Sequence, residues 1–133
     1  MTTPYQLPKH AEPEPEPGDA RFFEAAKEGR LLYKRCRACG QPHYYPRAYC
    51  PFCMSDETDW CEAAGTGEIY TFSVTRRAGP VPYAIAYVTL DEGVKMMTNI
   101  VDCDLDDIRI GQRVRLVYKP TVGDIPIACF TPV

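Results

Sequence analysis

Four cysteines of this chain stand as two C-x-x-C pairs, Cys36-Arg37-Ala38-Cys39 and Cys50-Pro51-Phe52-Cys53. Each pair forms a tight turn that aims two sulfurs the same way, and the segment from Gly40 to Tyr49 is long enough to hairpin back. One tetrahedral ion can therefore collect Cys36, Cys39, Cys50 and Cys53. Zinc is the expected ion, ahead of iron, since thiolate tetrahedra accept both. Four protein thiolates leave no open coordination position, so such an ion holds structure and activates neither water nor substrate.

Other cysteine chemistry fits less well. A thioredoxin-type redox motif normally occurs once, on a strand-to-helix junction, whereas two copies lie close together here. Disulfides suit secreted chains, but Met1 is followed by Thr2-Thr3-Pro4-Tyr5-Gln6 and no apolar run, so no secretory signal is read and a reducing, cytoplasmic location is expected. Cys61, Cys103 and Cys129 read as small buried hydrophobes, with Cys61 close enough to the cluster to be a spare ligand.

At 133 residues the chain suits one ordinary globular unit with a minor appendage. Its longest mostly apolar runs, such as Tyr83–Leu90, are strand-length, far below the roughly 20 residues of a membrane helix. The formal charge of −3 hides an asymmetry. From Arg21 to Arg47 there are seven basic residues against Glu24 and Glu28, a local excess of +5, while acid collects in Glu12-Pro13-Glu14-Pro15-Glu16-Pro17 and between Asp102 and Asp107. That basic excess either balances the thiolates or forms an anion-binding face.

The elements that must carry these residues follow in order. Residues 1–18 are polar and proline-rich, an acidic arm that either stays solvated or orders along a partner. Residues 19–62 are expected to form an N-terminal helix and metal ribbon. Asp19 is a candidate N-cap, Phe22, Phe23 and Ala26 share a face, and Gly29 offers a left-handed exit. Two adjacent phenylalanines exceed what a small metal lobe can cover, so Phe22 and Phe23 are candidate partner contacts as well as candidate core. Residues 32–36 and 43–46 are the expected ribbon strands, and His43 reads as a surface or packing residue.

After Gly65-Thr66-Gly67 the pattern turns to period two, and residues 63–133 read as a barrel. Strands are expected at residues 69–74, 83–90, 94–101, 113–118 and 125–130, with Asp91-Glu92-Gly93 as a hairpin loop and a helical turn near Leu105. Strict alternation groups Tyr70, Phe72 and Val74 on one side of the first strand. The fold class is mainly β: a helix and rubredoxin-like ribbon followed by a five-stranded OB-type barrel, with an SH3-like barrel permitted by the strands alone.

The order of motifs adds to this. Lys27-Glu28-Gly29-Arg30-Leu31, Arg35-Cys36-Arg37-Ala38-Cys39-Gly40, Tyr45-Pro46-Arg47-Ala48-Tyr49-Cys50-Pro51-Phe52-Cys53 and Gly65-Thr66-Gly67-Glu68-Ile69-Tyr70-Thr71-Phe72 follow one another. With Asp91-Glu92-Gly93-Val94, Thr98-Asn99-Ile100-Val101 and Ile110-Gly111-Gln112-Arg113-Val114, this series resembles the acyl-CoA-associated OB-fold family with an N-terminal rubredoxin-like zinc ribbon. The resemblance runs from about Ala20 to Pro132 and leaves out the arm. It implies a structural Zn²⁺ and a non-catalytic accessory subunit of a thiolase-fold enzyme, at times joined to a hydratase, in lipid or aromatic-acid metabolism. In such complexes the thiolase-like chain carries the reactive groups and the accessory chain helps form the CoA entrance.

Coenzyme A offers phosphates, an adenine and a long pantetheine arm, which suit guanidinium groups beside aromatic faces. Arg35, Arg37, Tyr45 and Arg47 on the ribbon, and Arg76 and Arg77 at the end of the first barrel strand, are the candidates for contact with CoA or a partner. An independent catalytic site is not expected, since His10 lies in the arm, His43 in the ribbon, and no phosphate loop is present. Single-stranded nucleic acid is the competing ligand for an OB barrel with a zinc ribbon, and the net acidity speaks against it.

Overall fold

The structure is a computed structural model that describes residues 12–14, 18–77 and 81–133. Most of the acidic arm, and Ala78-Gly79-Pro80 of the loop after the first barrel strand, lie outside the described residues.

Helix α1, Ala20–Lys27, begins after Asp19 as expected, but not through a side-chain cap. The Asp19 side chain is buried and accepts a hydrogen bond from the Tyr45 hydroxyl at 2.9 Å, while its carbonyl accepts from the Phe22 N–H. Gly29 at φ 78° ends the helix in the left-handed region, where an absent Cβ removes the steric cost. Phe22 and Phe23, considered both as core and as partner contacts, are core residues of the isolated chain. Their rings are only 6% and 8% exposed and meet edge-to-face at 5.1 Å, so most of their apolar surface is used within the chain. Phe22 also packs 5.3 Å from Tyr45 and 6.0 Å from Tyr44, which joins the helix to the ribbon.

The ribbon is a three-stranded antiparallel sheet ordered β2-β1-β3, with β1 at Leu32–Cys36, β2 at Pro42–His43 and β3 at Thr58–Glu62. The expected strand at residues 43–46 is thus shorter and earlier, and β3 was not anticipated. β3 reads Thr-Asp-Trp-Cys-Glu, too polar for an obvious strand, yet it pairs with all of β1 from Leu32↔Glu62 to Cys36↔Thr58.

Strands β4 (Thr66–Thr75), β5 (Tyr83–Leu90), β6 (Lys95–Ile100), β7 (Arg113–Lys119) and β8 (Ile127–Pro132) close a barrel in the order β4-β5-β6-β8-β7. This is the OB arrangement, with a parallel contact of β6 and β8 at Ile100↔Phe130 and a 3-10 turn, Leu105–Asp107, between β6 and β7. Alternation along β5 and β6 sends Ala84, Ala86, Val88, Met96 and Ile100 inward, against Val114 and Phe130.

In β4 the expected parity breaks. Ile69 pairs with Val88 and Thr71 with Tyr87, so Tyr70 is a bulge residue without a register partner. Ile69 is therefore buried before the bulge and Phe72 is partly buried after it, whereas Tyr70 is 58% exposed. Tyr87 is likewise outward, and Tyr83 partly buried.

Barrel closure falls at Gly67, which pairs with both Leu90 and Val114. A Cβ here would overlap the Thr89 carbonyl and lie 3.0 Å from Val88 Cγ1. Beside it, Asp91 accepts from Arg113 at 2.9 and 3.0 Å and from the Thr66 hydroxyl, tying the β5–β6 hairpin to β4 and β7. Those bonds, Arg113 foremost, hold the Asp91 carboxyl down at about 2.

Ribbon and barrel share one hydrophobic cluster that runs from Phe22, Leu31 and Tyr33 through Ala63 to Val88, Ile100 and Phe130. Two hydrogen bonds fix the junction: Tyr118 Oη to the Arg30 carbonyl at 2.8 Å, and Ala63 N–H to the Leu31 carbonyl at 2.8 Å. Glu12 touches the barrel as well, accepting from the Asp124 N–H at 2.6 Å.

Gly67→Ala is expected to cost about 2–3 kcal/mol in urea unfolding, because the added methyl meets backbone that cannot yield.

Candidate metal centre

Two knuckles build the cysteine cluster, and they repeat each other. In the first, the Gly40 N–H donates to the Cys36 carbonyl at 2.9 Å and the Cys36 N–H to the Gln41 carbonyl at 3.1 Å. In the second, the Met54 N–H donates to the Cys50 carbonyl at 2.8 Å and the Cys50 N–H to the Ser55 carbonyl at 2.8 Å. Both turns leave through a left-handed residue, Gly40 at φ 78° and Met54 at φ 66°. Only glycine enters that region without cost, so Met54 carries steric strain that Gly40 avoids.

The knuckles bring the sulfurs of Cys36, Cys39, Cys50 and Cys53 within 4.8 Å of one another. Cys36 lies 3.6 Å from Cys53, and Cys39 lies 3.6 Å from Cys50. Metal–sulfur bonds of about 2.3 Å give tetrahedral edges of about 3.8 Å, so the four residues fit one ion. Cys36 and Cys50 are buried, Cys39 and Cys53 exposed. Burial opposes ionisation of Cys50, but the Phe52 and Cys53 N–H groups with the neighbouring sulfurs outweigh it and hold this thiol at about 7. The Phe52 N–H lies 3.4 Å from its sulfur. Cys61, at the margin, faces the Asp59 carbonyl at 3.9 Å and is outside the four-sulfur group.

Lys34 and Trp60, which sequence reasoning left aside, form a row with His43 across the same sheet. Lys34 pairs with His43 on one side and Trp60 on the other, and strand parity sets it on the face of Cys36. Lys34 is 6% exposed, its ammonium stacked 4.5 Å from the Trp60 ring centroid and bonded to Thr58 Oγ1 at 3.2 Å. Burial lowers its pKa. Buried His43 accepts the Arg47 N–H on Nε2 at 3.2 Å, and burial foremost, assisted by the charges of Lys34 and Arg47, favours the neutral ring. The signal was the i, i+2 spacing of Lys34 and Cys36 within one strand.

The residues considered for CoA or partner contact fare differently. Arg37 pairs with Asp59 at 3.3 Å, Arg35 donates to the Gly40 carbonyl at 2.9 Å, and Arg76 pairs with Asp106. Tyr45 is engaged by Asp19. Arg47 and Arg77 are exposed. Arg35, Arg37 and Arg47 share the ribbon, whereas Arg76 and Arg77 follow β4 on the barrel.

Chelation, or Cys36→Ser, is expected to shift Trp60 emission to longer wavelength as the ribbon opens, while Cys103→Ser leaves the spectrum unchanged. Trp60 is the sole tryptophan, so fluorescence reads this lobe directly. Met54→Gly should raise metal-loaded stability by about 1 kcal/mol in chemical denaturation.

Residues 23–59 match the model of the ChsH2 rubredoxin-like zinc ribbon domain, and residues 60–119 that of the ChsH2 C-terminal OB-fold domain. A probable enoyl-CoA hydratase alpha subunit of Thermomonospora curvata is 38% identical over 96% of this chain, which spans 42% of that relative's length. A DUF35 domain-containing scaffold protein of Methanocaldococcus jannaschii is 35% identical over 67% of each chain. Among solved structures, the Ltp2-ChsH2(DUF35) aldolase matches at TM-score 0.78 and 37% identity, over 91% of this chain and 98% of that one. A DUF35 protein of Sulfolobus solfataricus shares the fold at TM-score 0.65 and 12% identity, over 88% and 86%. With a thiolate-lined ribbon seated on a closed OB barrel, and relatives that match along nearly its whole length, this chain belongs to the DUF35 family and carries the ChsH2 type of zinc ribbon and OB domain.

Proposed function

We propose that the chain is a non-catalytic, zinc-binding accessory subunit of a thiolase-fold enzyme complex acting on acyl-CoA by thiolysis, retro-aldol cleavage or acyl transfer. The carrying observation is the closed cluster of Cys36, Cys39, Cys50 and Cys53. Zn²⁺ held there would supply structural cross-linking and no open position for substrate. Among the described residues this is the one group of three or more His, Cys, Asp or Glu able to hold a metal. His43 is buried with Nε2 engaged, which leaves it poorly suited to acid–base work. The relatives' names support the same reading, since one is an aldolase assembly and others are scaffold proteins. The hydratase-named relative makes a hydratase a further candidate partner.

In the complex, this chain stabilises the heteromer and helps form the CoA entrance, with Arg47 and Arg77 as exposed cations for phosphate and Tyr45 close to Arg47 in sequence. The proposed setting is the cytoplasm, where the thiols stay reduced. Among the described residues, no helix is long and apolar enough to cross a membrane.

Co-expression with a thiolase-fold protein from the same organism should give a complex that survives gel filtration and turns over acyl-CoA. Each chain alone should show at least a tenfold loss. A partner that works at full rate by itself, with this chain eluting separately, overturns the reading.

A further inference from the structure

A hollow of about 330 Å³ opens where α1 and the ribbon meet the barrel. It is lined by Phe22, Tyr44, Tyr45, Tyr118, Met96 and Met97 among others. Pro13 and Glu14 of the chain's own arm sit at its edge. Next to it, the loop between β7 and β8 is shaped to hold a carboxylate. Buried Thr121 donates to the Ile125 carbonyl at 2.7 Å and accepts from the Gly123 N–H at 3.2 Å, which curls the loop. The Asp124 N–H is thereby free to donate to Glu12 Oε2 at 2.6 Å. A Cβ on Gly123 would overlap the Glu12 carboxyl group, so glycine there makes the notch.

We propose that this hollow and its notch form a recognition site for an extended acidic Glu-Pro peptide, occupied in cis by Glu12-Pro13-Glu14. A carboxylate in the notch beside a proline against aromatic walls is two-point recognition. Proline suits such walls because its ring is apolar and its fixed φ leaves little backbone entropy to lose on binding. The sequence presents the pair as Glu12-Pro13, Glu14-Pro15 and Glu16-Pro17, so three registers can supply the same contacts. The site goes beyond the accessory-subunit reading and does not rest on it.

The test uses full-length chain labelled at the methionine methyl groups. Met96 and Met97 line the hollow, while Met54 on the second knuckle is a remote control. An arm variant carries Glu12→Ser, Pro13→Gly, Glu14→Ser, Pro15→Gly, Glu16→Ser and Pro17→Gly. Its Met96 and Met97 methyl resonances are expected to shift with Met54 unmoved. Adding a synthetic peptide of residues 11–18 should return them saturably to the wild-type positions. Gly123→Ala, introduced into the arm variant, should abolish that response. Unshifted Met96 and Met97 in the arm variant, no return on adding the peptide, or an equal response with Gly123→Ala each overturns the proposal.

Discussion

Four sulfur atoms gathered within 4.8 Å are the constraint on which the ribbon depends. Thiolates that close repel one another, and a dication at their centre would turn that repulsion into the lobe's main cross-link. Little else there could replace it. β2 is two residues long, and both knuckles consist of turns. Buried Lys34 adds a positive charge on the same sheet face without being a ligand, shielded from water by Trp60. Part of the basic excess in the sequence thus has a place inside the lobe.

The barrel supplies the opposite kind of stability. It closes on itself, so every strand has two neighbours and apolar side chains fill the interior. Phe22 and Phe23 join these two regimes. Since their rings, with Tyr44 and Leu31, belong to a cluster continuous with the barrel interior, the ribbon is seated by apolar packing while its two knuckles gather the four cysteines. Its exposed tip, including Tyr49 and Phe52, is consequently presented at a defined bearing from the barrel.

Features governed by local chemistry were legible in the sequence. The C-x-x-C spacing, the hairpin glycine at Gly93 with φ 97°, and the alternation of β5 and β6 all follow from rules that act over a few residues. What escaped depends on residues distant in the chain. β3 is a strand because β1 pairs with it, not because Thr-Asp-Trp-Cys-Glu looks like one. The bulge at Tyr70 reverses parity midway through β4, which pattern reading cannot detect when residues on both sides are apolar. The carboxylates that pair with Arg37 and Arg76, Asp59 and Asp106, come from 22 and 30 residues away. Asp19 occupies the helix start, yet its carboxylate is drawn to Tyr45.

The bond from the Tyr118 hydroxyl to the Arg30 carbonyl joins positions 88 residues apart. During synthesis, Arg30 leaves the ribosome long before Tyr118, so the sulfur knuckles can close first while the seat beneath them is still missing. The ribbon then acquires its orientation only as the penultimate strand arrives. A nascent chain stalled before that strand would hold a finished lobe without a bearing, its aromatic joint open to chaperones or to premature association.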